Sequence, residues 1–141
     1  MQRKASAAWQ GGIKDGKGTI STESTVLSAT PYSFSTRFEG APGTNPEELL
    51  AASHAGCFTM ALSLMLGESG IRPERIDTTA TVTLEKLESG FTVTKVHLDV
   101  TVAAPSADRG KFEAAATKAK INCPISKVLR ADISMDARLA A

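Results

Sequence analysis

A run of 18 residues without a charged side chain, residues 49–66, constrains the fold of this chain more than any other feature. The length suits a membrane span. However, acidic residues directly precede the run, no basic cluster flanks it, and it contains polar side chains: Ser53, His54, Thr59 and Ser63. These features favour the buried helix of a soluble protein. A helix that is apolar on nearly all sides must be enclosed by protein. Since a domain of 141 residues is small for that task, we expect a partner chain to cover part of the helix.

The residues around this run mark where the helix begins and ends. Asn45 is a favourable N-cap residue, and Pro46 suits the first helical position. Glu48 is placed to reach back to the cap as in a capping box. Gly70 is a typical residue to close a helix. The sequence therefore predicts a helix over about 46–69.

The segments before this helix indicate β structure. Asp15-Gly16, between "SAAWQGGI" and "GTISTES", is typical of a hairpin turn. The segment "PYSFSTRFEG" alternates, with Tyr32, Phe34, Thr36 and Phe38 on one face. We predict a strand here, with Arg37 on its polar face.

The rest of the chain predicts a second hairpin, two helices and a final strand. "RIDTTATVTLEKL" and "FTVTKVHLDVTVAA" are the hairpin strands, and a slip in apolar parity between Val93 and Val96 indicates a bulge. "SADRGKFEAAATKAKIN" and "CPISKVLRA" predict helices, and "ADISMDARLA" alternates as a half-buried strand. The order β-β-β-α-β-β-α-α-β predicts an α+β fold dominated by antiparallel hairpins, in a single domain over 1–141.

Charge and cysteine content exclude several classes of function. A net charge of +1 gives no electrostatic basis for binding nucleic acid or an anionic membrane. The N-terminal residues lack the apolar segment of a secretory signal, so we expect a cytoplasmic protein. Two cysteines are too few for a disulfide scaffold, and a cytosolic disulfide is more often catalytic than structural. Two thiols and two distant histidines do not make a metal site.

The two cysteines occupy different settings. Cys123 precedes Pro124, which favours the first turn of a helix. A thiolate at that position is stabilised by unpaired amide groups and the helix dipole. Cys57 lies within the long helix, where we expect no free amide to lower its pKa. Its activation would therefore require a neighbouring cation.

Arg37 is the candidate for that cation. Glu47 precedes Cys57 by ten residues, roughly 15 Å along a helix, and cannot touch the thiol itself. Its carboxylate could hold the Arg37 guanidinium so that the guanidinium extends towards the thiol.

The residues alone leave three interpretations open. The first is two-thiol redox chemistry, and the second is a non-catalytic module that binds an apolar ligand, with both cysteines as core residues. The third is acyl transfer by a Cys-His pair, because His54 lies one turn before Cys57. No third residue that would orient His54 is evident, so packing is its favoured role.

Two blocks, "RFEGAPGTNPEELLAASHAGCFTMALSLML" and "NCPIS", closely resemble the OsmC/Ohr family of osmotically inducible and organic hydroperoxide resistance proteins. The likeness extends over essentially the whole chain, and "PYSFSTRFEG" and "KGTISTES" resemble the OsmC branch. The resemblance implies an OsmC-like fold, in which antiparallel sheets wrap around a long central buried helix. It also implies an intertwined homodimer with its active sites at the subunit interface.

The same resemblance implies a thiol-dependent peroxidase that acts in oxidative and osmotic stress defence. By motif, Cys57 matches the peroxidatic cysteine and Cys123 the resolving cysteine. Arg37 and Glu47 match the pair that activates the thiol, Glu47 orienting Arg37 in its own chain or across the dimer. The implied substrate is an organic hydroperoxide, and the implied reductant is a dithiol such as a lipoyl group. No cofactor or metal is expected.

Overall fold

The computed structural model describes residues 1–140, which form two compact units. The first unit comprises Met1–Leu49, and the second begins at Leu50. The element order is β-β-β-α-α-β-β-α-α-β, with a three-stranded sheet in each unit. The predicted α+β class is confirmed, with one short helix more than the sequence suggested.

The sheet of the first unit contains the predicted N-terminal hairpin. Its strands pair in the order β1-β2-β3 and are all antiparallel: β1 (Ala5–Gln10), β2 (Lys17–Thr22) and β3 (Thr30–Tyr32). Gln10 pairs with Lys17, so the turn lies over 11–16, where the Asp15-Gly16 signal placed it. Trp9 and Tyr32 contact each other edge to face, with ring centroids 5.6 Å apart.

The strand predicted across "PYSFSTRFEG" is wrong after Tyr32. Residues Phe34–Phe38 form a short helix, α1. Ser33 caps it by accepting a hydrogen bond from the Thr36 amide, while the Thr36 hydroxyl accepts one from the Ser33 amide. These local bonds satisfy the first amides of the helix and compete with strand pairing. The spacing of Phe34 and Phe38 also fits a helix, since residues four apart share a face, and their rings lie 5.0 Å apart.

The long helix, α2, comprises Pro46–Glu68 and ends within one residue of the prediction. Asn45 Oδ1 accepts a hydrogen bond from the Glu48 amide at 2.8 Å, which confirms the N-cap. The Glu48 carboxylate instead accepts a hydrogen bond from the Thr44 hydroxyl at 2.8 Å. Gly70 adopts a left-handed φ of 77°, which ends the helix as expected.

The sheet of the second unit has β5 at its centre. Its strands are β4 (Arg75–Leu87), β5 (Gly90–Ala103) and β6 (Asp132–Leu139). β4 and β5 form the predicted antiparallel hairpin, and a shift in register leaves Thr94 unpaired between Val93 and Lys95. The bulge predicted between Val93 and Val96 is therefore confirmed.

β6 departs from the antiparallel pattern because it pairs in parallel with β5. The connection passes through two helices, α3 (Arg109–Asn122) and α4 (Pro124–Val128). Parallel neighbours require a crossover of this kind. The crossover matters for function because it contains Cys123, between α3 and α4.

A single hydrophobic cluster fills the second unit. The central strand contributes four fully buried side chains on one face: Val96, Leu98, Val100 and Val102. α2 contributes a stripe at four-residue spacing that is also fully buried: His54, Phe58, Leu62 and Leu66. α3 adds Phe112 and three alanines. The cluster holds α2 by one face only.

Another side of α2 is uncovered. Met60 is 78% exposed and Leu64 is 59% exposed, although the helix is apolar overall. Within residues 1–140, α2 is the one helix whose length and composition would allow it to cross a membrane, and core helices of soluble proteins meet the same criteria. The expectation that one chain cannot enclose this helix agrees with the exposed side chains.

Candidate active site

The fold brings the two cysteines into contact. Cys57 lies on α2 and Cys123 lies 66 positions further along the chain, yet their sulfur atoms are 3.1 Å apart. Both are free thiols; Cys123 is fully buried and Cys57 is partly exposed. The separation is longer than a disulfide bond but short enough for one sulfur to react with the other after a small movement.

Cys123 is fixed at the junction of two helices. Its amide donates to the Ala119 carbonyl oxygen at 2.9 Å and closes α3, while Pro124 opens α4 directly after it. The predicted position at a helix N-terminus is confirmed. Because Cys123 belongs to both helix ends, its backbone is held on either side.

The environment of Cys57 opposes ionisation. Burial raises the pKa of the Cys57 thiol above its ordinary value, and its hydrogen bond with Cys123 raises the pKa further. A hydrogen bond from the backbone amide of Ile125, in the first turn of α4, acts in the opposite direction and lowers the pKa. The expectation that no free amide reaches Cys57 was therefore wrong, since α4 supplies one. The pKa of Cys57 is still raised on balance, which favours the neutral thiol.

Arg37 and Glu47 form a forked ion pair in the first unit. Arg37 Nη2 lies 2.7 Å from Glu47 Oε1, and Arg37 Nε lies 3.1 and 3.2 Å from the two carboxylate oxygens. Arg37 lies on α1 instead of the predicted strand, and its side chain is 34% exposed. Asn45, the cap of α2, donates to the Thr36 carbonyl oxygen at 3.2 Å and links the two helices that carry the pair. Two donors on one carboxylate hold the guanidinium in a defined orientation.

An apolar cavity of about 210 Å³ lies beside Arg37 within the first unit. Four of its lining residues are aromatic, and the Arg37 guanidinium lies 5.1 Å from the centre of the Phe38 ring. The lining residues are Trp9, Ile13, Tyr32, Ser33, Phe34, Arg37 and Phe38. A cavity of this kind accepts an apolar group and places one positive charge at its edge.

His54 is fully buried and has a polar partner that the sequence did not reveal. Its Nε2 lies 2.8 Å from Ser126 Oγ on α4. Burial lowers the pKa of His54, so the ring is neutral at pH 7. Within residues 1–140, His54 Nδ1 has no hydrogen-bond partner, and Cys57 bonds to Cys123 and Ile125 instead of His54. This arrangement does not favour His54 as a base for Cys57.

Metal ligation has no candidate site in the part of the chain that the structure describes, since no three His, Cys, Asp or Glu side chains converge there. Each unit brings two candidate side chains into contact. In the second unit they are the two thiols, and in the first unit they are Arg37 and Glu47.

Comparison with known proteins relates this fold to peroxide-reducing enzymes. The peroxiredoxin OsmC of Escherichia coli K12 is 55% identical over 139 residues, covering 99% of this chain and 97% of that protein. An organic hydroperoxide resistance protein of Xanthomonas axonopodis pv. citri is 28% identical, covering 72% of this chain and 70% of that protein. The crystal structure of the organic hydroperoxide resistance protein OhrB of Bacillus subtilis superposes with a TM-score of 0.68 at 29% identity, over 97% of this chain and 98% of that one.

The α+β fold with two facing thiols, together with these relatives, defines the chain as a cysteine-based peroxidase. Its substrate class is a peroxide and its reductant class is a thiol. The OsmC-like protein family matches residues 38–138, and the chain belongs to this family.

Proposed function

We propose that the chain reduces organic hydroperoxides to alcohols through a sulfenic acid on Cys57 that Cys123 resolves as an intramolecular disulfide. The observation that carries this proposal is the 3.1 Å separation between the two sulfur atoms, with both thiols free. Such an enzyme would serve defence against peroxide stress.

The first step oxidises Cys57. Its thiolate attacks the distal oxygen of ROOH, so that a sulfur–oxygen bond forms and the oxygen–oxygen bond breaks. The alkoxide leaves and takes up a proton to give the alcohol, while Cys57 becomes a sulfenic acid. Cys57 is a partly exposed residue, which suits it for this role because the peroxide must reach the thiol.

The second and third steps close and reopen a disulfide. The Cys123 sulfur attacks the Cys57 sulfenic acid, a disulfide forms, and water leaves. The buried Cys123 is protected from the peroxide and suits the resolving role. A dithiol, for which a lipoyl-type group is the candidate, then restores both thiols by exchange.

We assign the activation of Cys57 to Arg37. We assign the orientation of the Arg37 guanidinium to Glu47. Because its surroundings raise the pKa of Cys57, little thiolate forms at neutral pH without a further positive charge. The forked Arg37–Glu47 pair offers a guanidinium whose direction is fixed. The same cation would stabilise the alkoxide that leaves in the first step.

The preference for organic over hydrogen peroxide is supported by the cavity beside Arg37. Its aromatic walls suit an alkyl or aryl group, while hydrogen peroxide would gain nothing from them. Relatives named for organic hydroperoxide resistance agree with this preference.

We further propose that the protein is a cytoplasmic homodimer with one OsmC-like domain per chain. The family match over residues 38–138 extends across the boundary between the two units, which supports a single domain. The exposed apolar side chains of α2, Met60 and Leu64, support burial against a second copy. Recycling of a catalytic disulfide by a dithiol suits a reducing compartment.

Leu64→Glu is expected to weaken the dimer by about 100-fold, because a carboxylate would be buried without a partner. Sedimentation velocity over a range of protein concentrations measures the effect. Leu87→Glu is the matched control, since Leu87 is also an exposed leucine but lies at the end of the β4–β5 hairpin. A wild-type protein that stays monomeric at all concentrations would contradict the proposed dimer.

Mass spectrometry after one equivalent of cumene hydroperoxide tests the proposed chemistry. The wild-type protein is expected to lose two hydrogens, and its digest to contain a Cys57–Cys123 linked peptide. Cys123→Ser is expected to gain one oxygen on Cys57 instead, because no thiol remains to resolve the sulfenic acid. A wild-type protein that keeps both thiols after this treatment would contradict the proposal.

A further inference from the structure

Two contacts of matching spacing join α2 to the segment that carries Cys123. On α2, His54 and Cys57 are three residues apart, and beyond α3, Cys123 and Ser126 are also three residues apart. The sulfur atoms of one pair are 3.1 Å apart, and the His54 Nε2 to Ser126 Oγ distance is 2.8 Å. Residues three apart lie about one turn along the same side of a helix. The His54–Ser126 hydrogen bond therefore lies about one turn from the thiol contact, both along α2 and along the segment that carries Cys123.

The His54–Ser126 hydrogen bond is enclosed by protein. His54 has no exposed surface, and Ser126 is only 8% exposed. Within residues 1–140, the other ring nitrogen of His54 has no partner, so Ser126 provides the polar contact of this side chain. A buried hydrogen bond is directional, and breaking it leaves an unsatisfied group. It therefore fixes the position of α4 more sharply than apolar contacts do.

Apart from the hydrogen bond of the Ile125 amide to the Cys57 thiol and the junction with α3 at Cys123, α4 has few other means of holding its position. It contains five residues, too short to be stable without tertiary contacts. Val128 is 70% exposed, and Ile125 and Leu129 are only partly buried against the hydrophobic cluster. Ser126 is the one residue of α4 that is buried.

We propose that His54 and Ser126 are positioning residues for disulfide formation: their hydrogen bond holds α4, and with it Cys123, at the distance from which the Cys123 sulfur reaches Cys57. This inference rests on the proposed function of the two cysteines. It assigns a role in the second chemical step to two side chains that do not touch the peroxide.

The second step is sensitive to distance. The Cys123 sulfur forms a bond to the Cys57 sulfur, the sulfur–oxygen bond of the sulfenic acid breaks, and the hydroxide leaves with the Cys123 proton as water. Both sulfur atoms end at the oxidation level of a disulfide, and the peroxide of the first step supplies the oxidant. The sulfur atoms must approach from 3.1 Å to a disulfide bond length of about 2.05 Å. A displacement of about 1 Å can slow such a step about 100-fold.

Four variants test the hydrogen bond from both of its ends. Ser126→Ala and His54→Leu remove it, whereas Ser126→Thr and His54→Gln keep a polar atom near its position. The matched control is Thr59→Val, which removes a hydroxyl of α2 that donates to Thr78 Oγ1 on β4 at 2.8 Å. Circular dichroism and thermal unfolding establish that each variant is folded, and a variant at either end suffices if its counterpart does not fold.

Two rates are measured in each folded variant. The first is the formation of Cys57 sulfenic acid, followed in a Cys123→Ser background with a dimedone-type probe. The second is the formation of the disulfide, followed by rapid acid quench and mass spectrometry. The fraction of Cys57 over-oxidised to the sulfinic acid is also measured at high peroxide concentration. A sulfenic acid that is resolved slowly reacts with a second molecule of peroxide.

Ser126→Ala and His54→Leu are expected to slow disulfide formation about tenfold and to increase sulfinic acid. Sulfenic acid formation is expected to change less than about threefold. Ser126→Thr and His54→Gln are expected to restore disulfide formation, and Thr59→Val to leave both rates near wild type.

Unchanged disulfide formation in Ser126→Ala or His54→Leu, or equal slowing in Thr59→Val, would overturn the positioning role while leaving the proposed function intact. Absence of sulfenic acid on Cys57 in the Cys123→Ser protein would instead overturn the proposed function, and this inference with it. The two failures are therefore distinguishable.

Discussion

Cys57→Ser is expected to reduce peroxide consumption to the uncatalysed level, a loss of at least about 1000-fold. A serine hydroxyl at this position is neither ionised near neutral pH nor able to form a sulfenic acid. Turnover is measured with tert-butyl hydroperoxide and dihydrolipoamide, as peroxide remaining against time. The substitution is nearly isosteric and Cys57 is only partly buried, so the fold should be retained.

Cys123→Ser is the matched control for this experiment. It keeps the peroxidatic thiol and is expected to consume one equivalent of peroxide rapidly before turnover falls. If Cys57→Ser consumed peroxide as fast as the wild-type protein, the role assigned to Cys57 would be wrong. If Cys123→Ser were folded by circular dichroism yet consumed no peroxide in the first turnover, the peroxidatic role of Cys57 would also be wrong.

Arg37→Met is expected to lower kcat/KM for the hydroperoxide by about 100- to 1000-fold at pH 7. The surroundings of Cys57 raise the pKa of its thiol, and we propose that Arg37 offsets this by stabilising the thiolate. Without the cation the pKa rises further, so the rising limb of the pH–rate profile moves to higher pH. The difference in kcat/KM between Arg37→Met and the wild-type protein should therefore become smaller at alkaline pH. Stopped-flow measurements of Cys57 oxidation from pH 5 to 10 test this.

Arg75→Met is the matched control for Arg37→Met. Arg75 forms a similar forked pair with Asp77, but both side chains are more than half exposed. Its loss should leave the pH–rate profile in place. Glu47→Gln keeps the arginine but weakens its orientation, so an intermediate loss is expected. An Arg37→Met enzyme with the wild-type profile would refute activation by this residue.

Local signals in the sequence predicted the ends of α2 and the bulge in β5. Asn45 and Gly70 mark the helix by backbone chemistry that needs no tertiary contact. The apolar parity slip before Val96 likewise reflects which side chains face the core. Such features are readable because their cause lies within a few residues.

The strand predicted around Arg37 failed because two periodicities coincide there. Phe34 and Phe38 are an even number of positions apart, as a strand face requires, and also four apart, as a helix face requires. The capping hydrogen bonds between Ser33 and Thr36 stabilise the helix instead of the strand. Alternation over so few residues does not separate the two structures.

The polar contacts around Cys57 could not be predicted, since they depend on how α4 packs against α2. Nothing near Ile125 in the sequence marks its amide as a donor to a distant thiol. Ser126 likewise lies 72 positions from His54, and serine is common in short helices for other reasons. The two cysteines were found through their motifs, but the Ser126 hydroxyl that lies against His54 was not.

The separation of the two cysteines along the chain has a mechanical consequence. In the proposed cycle, each turnover converts an open polypeptide into one closed by a covalent cross-link over 66 positions. A loop of that length removes chain entropy from the unfolded state worth about 4 kcal/mol. We therefore expect the oxidised intermediate to melt at a higher temperature than the reduced enzyme, and calorimetry of the two forms measures the difference; equal melting temperatures would contradict it. The enzyme would then resist unfolding most strongly while peroxide is present.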